Sequence, residues 1–157
     1  FPDRQVPAPP FLGMPPGATI PMQAVPTSVV QGPDGAYYVG QLTGFPFPVG
    51  AANVYRVPAG GGAPTVYASG FTNIVDIAFG KDGSLYVLEI AKAGLLAPGE
   101  GLPVGALIRV APNGTRTEIA SESLLAPGGV TVGPDGALYV TNKSILPGAG
   151  EVVRIQP

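Results

Sequence analysis

The chain has 157 residues, which is enough for one domain with a buried core, and it contains neither cysteine nor histidine. These absences exclude disulfides, thiolate metal sites and histidine-based catalytic triads. The net charge of −2, with only 8 Lys and Arg, leaves no basic face for a phosphate backbone, so we expect no nucleic-acid partner.

Residues 1–26 carry eight prolines, and this composition predicts an extended arm. Proline fixes φ and lacks the N–H donor, which disfavours helices and central strands. Apolar residues of the arm, such as Phe11 and Met22, indicate that it lies on an apolar surface. The chain begins at Phe1 without a methionine, so we expect a processed product or a fragment. No apolar run is long enough to predict a membrane span.

An eight-residue motif occurs three times and organises the rest of the sequence. It reads Gly-Pro-Asp-Gly-Ala-Tyr-Tyr-Val at 32–39, Gly-Lys-Asp-Gly-Ser-Leu-Tyr-Val at 80–87 and Gly-Pro-Asp-Gly-Ala-Leu-Tyr-Val at 133–140. Each copy places an Asp-Gly turn between two apolar runs, which is typical of a β-hairpin. The turn aspartates are expected to stabilise the turns themselves. Their spacings of 48 and 53 residues are typical of propeller blades.

Each repeat predicts a series of antiparallel strands around its turn. A first strand precedes the turn, a second follows it, a third contains a repeated arginine (Arg56, Arg109 or Arg154), and a fourth occurs in two repeats. We expect the arginines to form ion pairs between neighbouring blades. The predicted strands are 28–31, 37–41, 54–57 and 65–68; 76–79, 85–89, 107–110 and 117–120; and 130–132, 138–142 and 152–155.

The sequence therefore predicts an all-β fold made of β-propeller blades of four antiparallel strands. The blades span 27–73, 74–126 and 127–157, and the last one lacks its fourth strand. Closed propellers have at least about 4 blades, so two and a half to three blades cannot close a ring. We expect a protein partner or a second copy of the chain to complete it.

The three motifs, together with Gly-Gln-Leu-Thr-Gly-Phe-Pro-Phe-Pro-Val-Gly at 40–50 and Ala-Ser-Gly-Phe-Thr-Asn-Ile-Val-Asp-Ile-Ala-Phe at 68–79, resemble the ScyD/ScyE family. These are exported bacterial β-propeller proteins with NHL-like repeats, named after members associated with synthesis of the pigment scytonemin. The resemblance implies a six-bladed propeller, of which this chain is the C-terminal half. It also implies an extracellular or periplasmic location, and it implies no reaction.

Long apolar loops between the second and third strands form the first candidate site. Propeller connectivity places these loops on one face, opposite the Asp-Gly turns. They offer a surface for a protein partner or for a hydrophobic small molecule such as a pigment precursor, while packing of the loops on one another is the alternative. The candidate residues are Phe45, Phe47, Val49, Leu95, Leu96 and Ile145.

Asp76, Glu89 and Asn142 form a second candidate site, because repeat alignment places all three near the central channel. Their oxygens are ligands of the kind that Ca²⁺ takes, so the sequence allows a Ca²⁺ ion in the channel and indicates no other cofactor. With such an ion the chain would be a metal-dependent hydrolase or lactonase. The alternative is that these side chains cap strand ends and hold water.

The leading interpretation is a non-enzymatic, secreted propeller segment that acts in binding or assembly. It follows from the repeats, from the missing histidine and cysteine, and from the incomplete third blade.

Overall fold

The computed structural model describes all 157 residues, as thirteen β-strands and one 3-10 helix at Pro10–Leu12. No helix is long and apolar enough to cross a bilayer. The strands are β1 (Arg4–Pro7), β2 (Thr19–Met22), β3 (Pro26–Gln31), β4 (Tyr37–Gln41), β5 (Ala52–Val57), β6 (Thr65–Phe71), β7 (Ile74–Phe79), β8 (Leu85–Glu89), β9 (Ala106–Val110), β10 (Arg116–Ala120), β11 (Gly129–Val132), β12 (Leu138–Asn142) and β13 (Glu151–Ile155).

Strands β3 to β13 form three antiparallel sheets that correspond to the predicted blades, and β1 and β2 form a separate pair. Blade 1 is β3-β4-β5-β6, blade 2 is β7-β8-β9-β10, and blade 3 is β11-β12-β13 without a fourth strand. The all-β prediction with four-stranded antiparallel blades is therefore confirmed. The second strand of every blade has the predicted bounds, whereas the first and third strands begin one or two residues earlier than predicted.

The Asp-Gly motif forms its hairpin in the same way in every blade. In blade 1 the turn is closed by Gly35 N donating to Gly32 O at 3.0 Å, and Gly35 has φ +77°, which a glycine adopts without strain. Asp34 Oδ1 accepts from Ala36 N at 3.2 Å, as expected for an aspartate that stabilises its own turn. A Cβ on Gly32 would lie 2.3 Å from the ring of Tyr38, which explains the first glycine of the motif.

The repeated arginines bind the turn aspartates of their own blades, so the prediction of pairing between blades is wrong. The Arg56–Asp34 and Arg109–Asp82 ion pairs both have N–O distances of 2.7 Å. Arg154 binds Asp135 in the same way, at 2.8 Å. The third strand lies beside the second, which brings its arginine within reach of the turn between the first two strands.

The cores lie between blades rather than within them. Blades 1 and 2 share a cluster that includes Val54, Phe71 and Ile77. Blades 2 and 3 share a cluster that includes Leu107 and Val140. Because a blade is one sheet thick, each inner face is buried by the neighbouring blade, and the outer faces of the two end blades have no neighbouring blade.

Residues 1–26 fold back on themselves instead of forming a single extended arm. Strands β1 and β2 pair antiparallel from Arg4↔Met22 to Pro7↔Thr19. A two-stranded ribbon has two outer edges, so prolines are tolerated where their nitrogens face away from the partner strand. The expected apolar contact holds for Met22, which is fully buried, but Phe11 remains 70% exposed.

Candidate functional site

The loops that follow the second strands gather at one end of the blade stack, called the loop face below. They are residues 42–51, 90–105 and 143–150. The Asp-Gly turns join the other ends of the same strands, so the two features lie on opposite faces. Loop residues here combine exposure with rigid support from the strands, a common setting for binding.

Aromatic rings connect the first of these loops with the N-terminal hairpin. Phe45 packs edge to face on Phe47, with ring centroids 6.3 Å apart, and on Phe11 of the hairpin at 6.2 Å. Phe11 therefore belongs to the loop face. The sequence did not place it there, because the contact joins two segments that share no repeat.

A first cleft of about 280 Å³ lies between the loops of blades 1 and 2. Three of the six predicted residues line it, namely Phe47, Val49 and Leu96. Val49 and Leu96 are 65% and 49% exposed, so the cleft presents apolar surface to solvent. This arrangement suits a flat apolar group.

A second cleft of about 610 Å³ adjoins the first, with residues 93, 94 and 97 bordering both. It is formed mainly by the blade 2 loop and is bounded by Ile145 of the blade 3 loop. Leu95 and Ile145 line it, so five of the six predicted residues lie in the two clefts, and Phe45 flanks Phe47. The structure thus brings the six residues together on one face.

Lys92 adds charge to the second cleft, which the sequence analysis did not anticipate. Its Nζ lies 3.1 Å from Glu122 and 3.8 Å from Glu118. The hydrogen bond to Glu122 is the main cause that raises the pKa of Lys92. Counted from the turn aspartates, Gly44 and Ile145 occupy the equivalent positions. A lysine at this position departs from the repeat, and this departure is the sequence feature that could have identified Lys92.

Asp76, the first residue of the predicted metal site, joins all three blades. Its carboxylate accepts from Ser28 Oγ of blade 1 at 2.5 Å and from Ile77 N of its own strand at 2.9 Å. The other carboxylate oxygen accepts from Val130 N of blade 3 at 2.7 Å. Both oxygens are therefore engaged in hydrogen bonds between the first strands.

Glu89 is 5% exposed and binds the connection that leads from β6 into β7. Its Oε1 accepts from Thr72 N at 2.7 Å. Burial raises the pKa of Glu89 to about 7, although the Thr72 hydrogen bond acts in the opposite direction. A carboxyl group in this environment gains or loses its proton near neutral pH.

Asn142 occupies the equivalent place in blade 3 and binds the connection into β11. Its Oδ1 accepts from Leu125 N at 2.7 Å, and its Nδ2 donates to Ser123 O and Glu151 Oε1, both at 3.0 Å. Asp76, Glu89 and Asn142 thus have separate hydrogen-bond partners. Nowhere do three Asp or Glu side chains converge as metal ligands would. The residues present favour backbone capping over a metal centre.

Comparisons with known proteins support the fold and leave the activity open. No family model matches the chain, and no curated protein sequence is significantly similar to it. The crystal structure of a candidate gluconolactonase is similar over 88% of this chain, with a TM-score of 0.58 and 18% identity. A streptogramin B lyase structure is similar over 83% of the chain, with a TM-score of 0.52 and 20% identity.

The chain spans 53% of the gluconolactonase-like structure and 40% of the lyase structure. Identity at this level supports a shared fold only. The resemblance to the ScyD/ScyE family is not addressed by either neighbour and stays a prediction.

Proposed function

We propose that this chain is a secreted binding or assembly segment of a β-propeller, without a reaction of its own. The observation that carries the proposal is the open side of blade 3. In blades 1 and 2 the third strand is covered by β6 or β10, whereas β13 has no neighbour beyond it. An uncovered strand presents backbone donors and acceptors to any strand that approaches.

Exposed apolar side chains accompany this open edge. Val152 on β13 is 66% exposed, whereas Val54 and Leu107 at the same position of blades 1 and 2 are fully buried. Val29 at the other end of the stack is also 66% exposed. Apolar surface of this kind on both end blades favours association with a protein partner or a second copy.

Sedimentation velocity over a wide range of protein concentration tests the proposal. We expect concentration-dependent association, which Val152→Asp weakens because it places a charge in the contact. Val49→Asp is a matched control, since Val49 is 65% exposed but lies on the loop face. A single 15.8 kDa species at every concentration, or equal effects of the two variants, would contradict the proposal.

A second candidate function is the binding of a hydrophobic small molecule in the loop-face clefts. Their apolar lining favours it, and the family resemblance makes a pigment precursor a suitable ligand. Fluorescence titration with anilinonaphthalene sulfonate should show saturable binding that Leu96→Ser weakens. Val66→Ser, at a residue of similar exposure outside the clefts, should leave binding unchanged. Absence of saturable binding removes this candidate.

A third candidate is a hydrolase or lactonase with Ca²⁺ at Asp76, as the name of one structural neighbour suggests. Titration calorimetry with Ca²⁺ and a lactone hydrolysis assay, each with wild type and Asp76→Asn, test it. Hydrolysis that depends on both Ca²⁺ and Asp76 would support the candidate. Failure to bind Ca²⁺ together with no hydrolysis would remove it.

A further inference from the structure

The two interfaces between blades use the same hydrogen bond. A side-chain oxygen on the first strand of the earlier blade accepts from a backbone N–H on the first strand of the later blade. Asp76 Oδ2 accepts from Val130 N at 2.7 Å, and Ser28 Oγ accepts from Ile77 N at 3.3 Å. The Ile77 N–H is shared with Asp76 Oδ1 at 2.9 Å, to which Ser28 Oγ itself donates at 2.5 Å. Each acceptor lies six residues before its turn aspartate and each donor five. The blade stack therefore has a direction, from acceptor to donor.

Blade 1 exposes the donor half of this interface, called the donor face. Val29 occupies the position of Ile77 and Val130, but it is 66% exposed where they are 3% and 7% exposed. Val29 pairs with Val39 in the same register as Ile77 with Val87. Equal register directs the N–H groups to the same edge of their strands, so the Val29 N–H points away from β4 as the Ile77 N–H points away from β8.

Blade 3 exposes the acceptor half, called the acceptor face. Gly129 occupies the acceptor position and has no side chain, but a hydroxyl stands beside it. A Cβ built on Gly129 would lie 3.4 Å from Asp76 Oδ2 of blade 2 and 3.5 Å from Thr141 Oγ1. Thr141 thus brings an oxygen close to the place where Ser28 and Asp76 carry theirs. The acceptor face also includes Val152, which is exposed.

The β1–β2 hairpin lies on part of the donor face. The ring of Phe1 packs edge to face on Tyr55 at 5.2 Å, and the Arg4 guanidinium donates to Ala51 O. Tyr55 precedes the repeated arginine of blade 1, as Ile108 does in blade 2, and Ile108 packs in the core between blades 1 and 2. The hairpin therefore covers surface that a neighbouring blade would need.

We propose that the donor face of one molecule binds the acceptor face of a second copy, and that the β1–β2 hairpin caps the donor face until it is displaced. This inference rests on the assembly function proposed above. A second copy fits because one chain carries both halves of the repeated interface. The contact is head to tail, so it closes a ring or extends a chain according to its rotation.

Sedimentation velocity on the full chain tests the cap. The variant Phe1→Ser with Arg4→Ala removes the contacts with Tyr55 and Ala51 and keeps the contact of Phe11 with Phe45. Only molecules whose donor face is uncapped can bind, so the apparent affinity of wild type is reduced in proportion to that fraction. We therefore expect this variant to associate roughly tenfold more tightly than wild type. Phe11→Ser is the matched control, because Phe11 belongs to the hairpin but contacts Phe45 on the loop face. It should associate like wild type.

A second comparison tests the acceptor in the uncapped background. Thr141→Val keeps the side-chain shape and removes the hydroxyl, and we expect it to weaken association about tenfold. The same change at Thr117, which is exposed on β10, should have no effect.

Three results would count against the inference, and they separate it from the assembly function. Equal association of wild type and of the Phe1→Ser with Arg4→Ala variant would overturn the proposed cap. Assembly through blade 3 would remain in place. Association that is unchanged by Thr141→Val would overturn the proposed acceptor. Absence of association in every variant would remove both the inference and the assembly function.

Discussion

The two oxygens of each turn aspartate have separate roles. Asp82 Oδ1 accepts from Ser84 N at 3.0 Å within the turn, and Oδ2 accepts from Ser84 Oγ at 2.9 Å and lies 2.7 Å from Arg109. The pKa of Asp82 is lowered to about 2, first by the Ser84 backbone hydrogen bond and then by Arg109. The turn between β9 and β10 uses Asn113 Oδ1, which accepts from Thr115 N at 3.0 Å. An uncharged oxygen is therefore sufficient for the turn.

We expect Asp82→Asn to destabilise the fold by less than about 1 kcal/mol, because it removes only the exposed contacts of Oδ2 with Arg109 and Ser84 Oγ. Asp82→Ala also removes the turn hydrogen bond and should cost about 1 kcal/mol more. Urea unfolding at pH 7 measures both. The aspartate stabilises only while it is ionised, so the difference between wild type and Asp82→Asn should shrink as the pH falls below 4. Equal costs of the two variants would contradict this division of roles.

The first glycine of the motif is required by a tyrosine ring. A Cβ on Gly133 would lie 2.5 Å from the ring of Tyr139 and 2.6 Å from Asp135 Oδ1. We expect Gly133→Ala to cost roughly 1–3 kcal/mol in urea unfolding, as for other overpacked sites. Gly150→Ala is the control, because a Cβ there meets nothing within 4 Å. A Tyr139→Ala background should relieve part of the loss, and strict additivity of the two changes would argue against the clash.

At the scale of elements, the sequence predicted strands well where turn chemistry and apolar alternation agree. β4, β8 and β12 each follow an Asp-Gly turn, and their bounds were predicted without error. The β1–β2 hairpin was not predicted, because its pairing depends on chain reversal between prolines rather than on a local turn motif. Contacts such as Phe11 with Phe45 arise only once that hairpin has folded.

The candidate site shows the same limit. Repeat alignment identified Glu89 and Asn142 as equivalent, and both do bind the connection into a blade. Their partners, Thr72 N and Leu125 N, are backbone groups that carry no sequence signature. The sequence could therefore show that these positions are special, but not that they cap connections.

Glu89 should make stability fall as the pH rises toward neutral. Burial raises its folded-state pKa from 4.5 to about 7, so between these values the folded chain holds a proton that the unfolded chain has lost. By linkage, the free energy of unfolding then decreases by roughly 3 kcal/mol across this window and changes little from this group below it. Glu89→Gln removes the titration, so its pH profile should be flatter between pH 4.5 and 7.

Urea unfolding of wild type and Glu89→Gln at several pH values measures this difference. Glu122→Gln is the control, since the Glu122 side chain is 85% exposed. The turn aspartates do not contribute to the slope between pH 4.5 and 7, because their lowered pKa values place their titration at more acidic pH. A Glu89→Gln profile as steep as that of wild type would show that burial does not control this group.

At the scale of the whole molecule, two apolar clusters and the Asp76 carboxylate are among the contacts that join the blades. The clusters each join two blades, whereas Asp76 contacts all three. Because Asp76 has hydrogen bonds in every blade, unfolding of one blade removes bonds that stabilise the other two. Sequence comparison among the repeats did not reveal this role, because Ser28 and Gly129 at the equivalent positions differ in chemistry.

Asp76→Ala should therefore destabilise all three blades together. It leaves the N–H of Val130 and the hydroxyl of Ser28 without their acceptor and leaves the Ile77 N–H with only the longer bond to Ser28 Oγ, and we expect a loss of about 3 kcal/mol. Asp76→Asn retains one oxygen and should lose about half as much. Urea unfolding gives the free energies, and amide hydrogen exchange should show faster exchange at Ile77 and Val130. Asp3→Ala, at an exposed carboxylate, should change neither quantity, and an Asp76→Ala variant that matched it would show that the apolar clusters alone couple the blades.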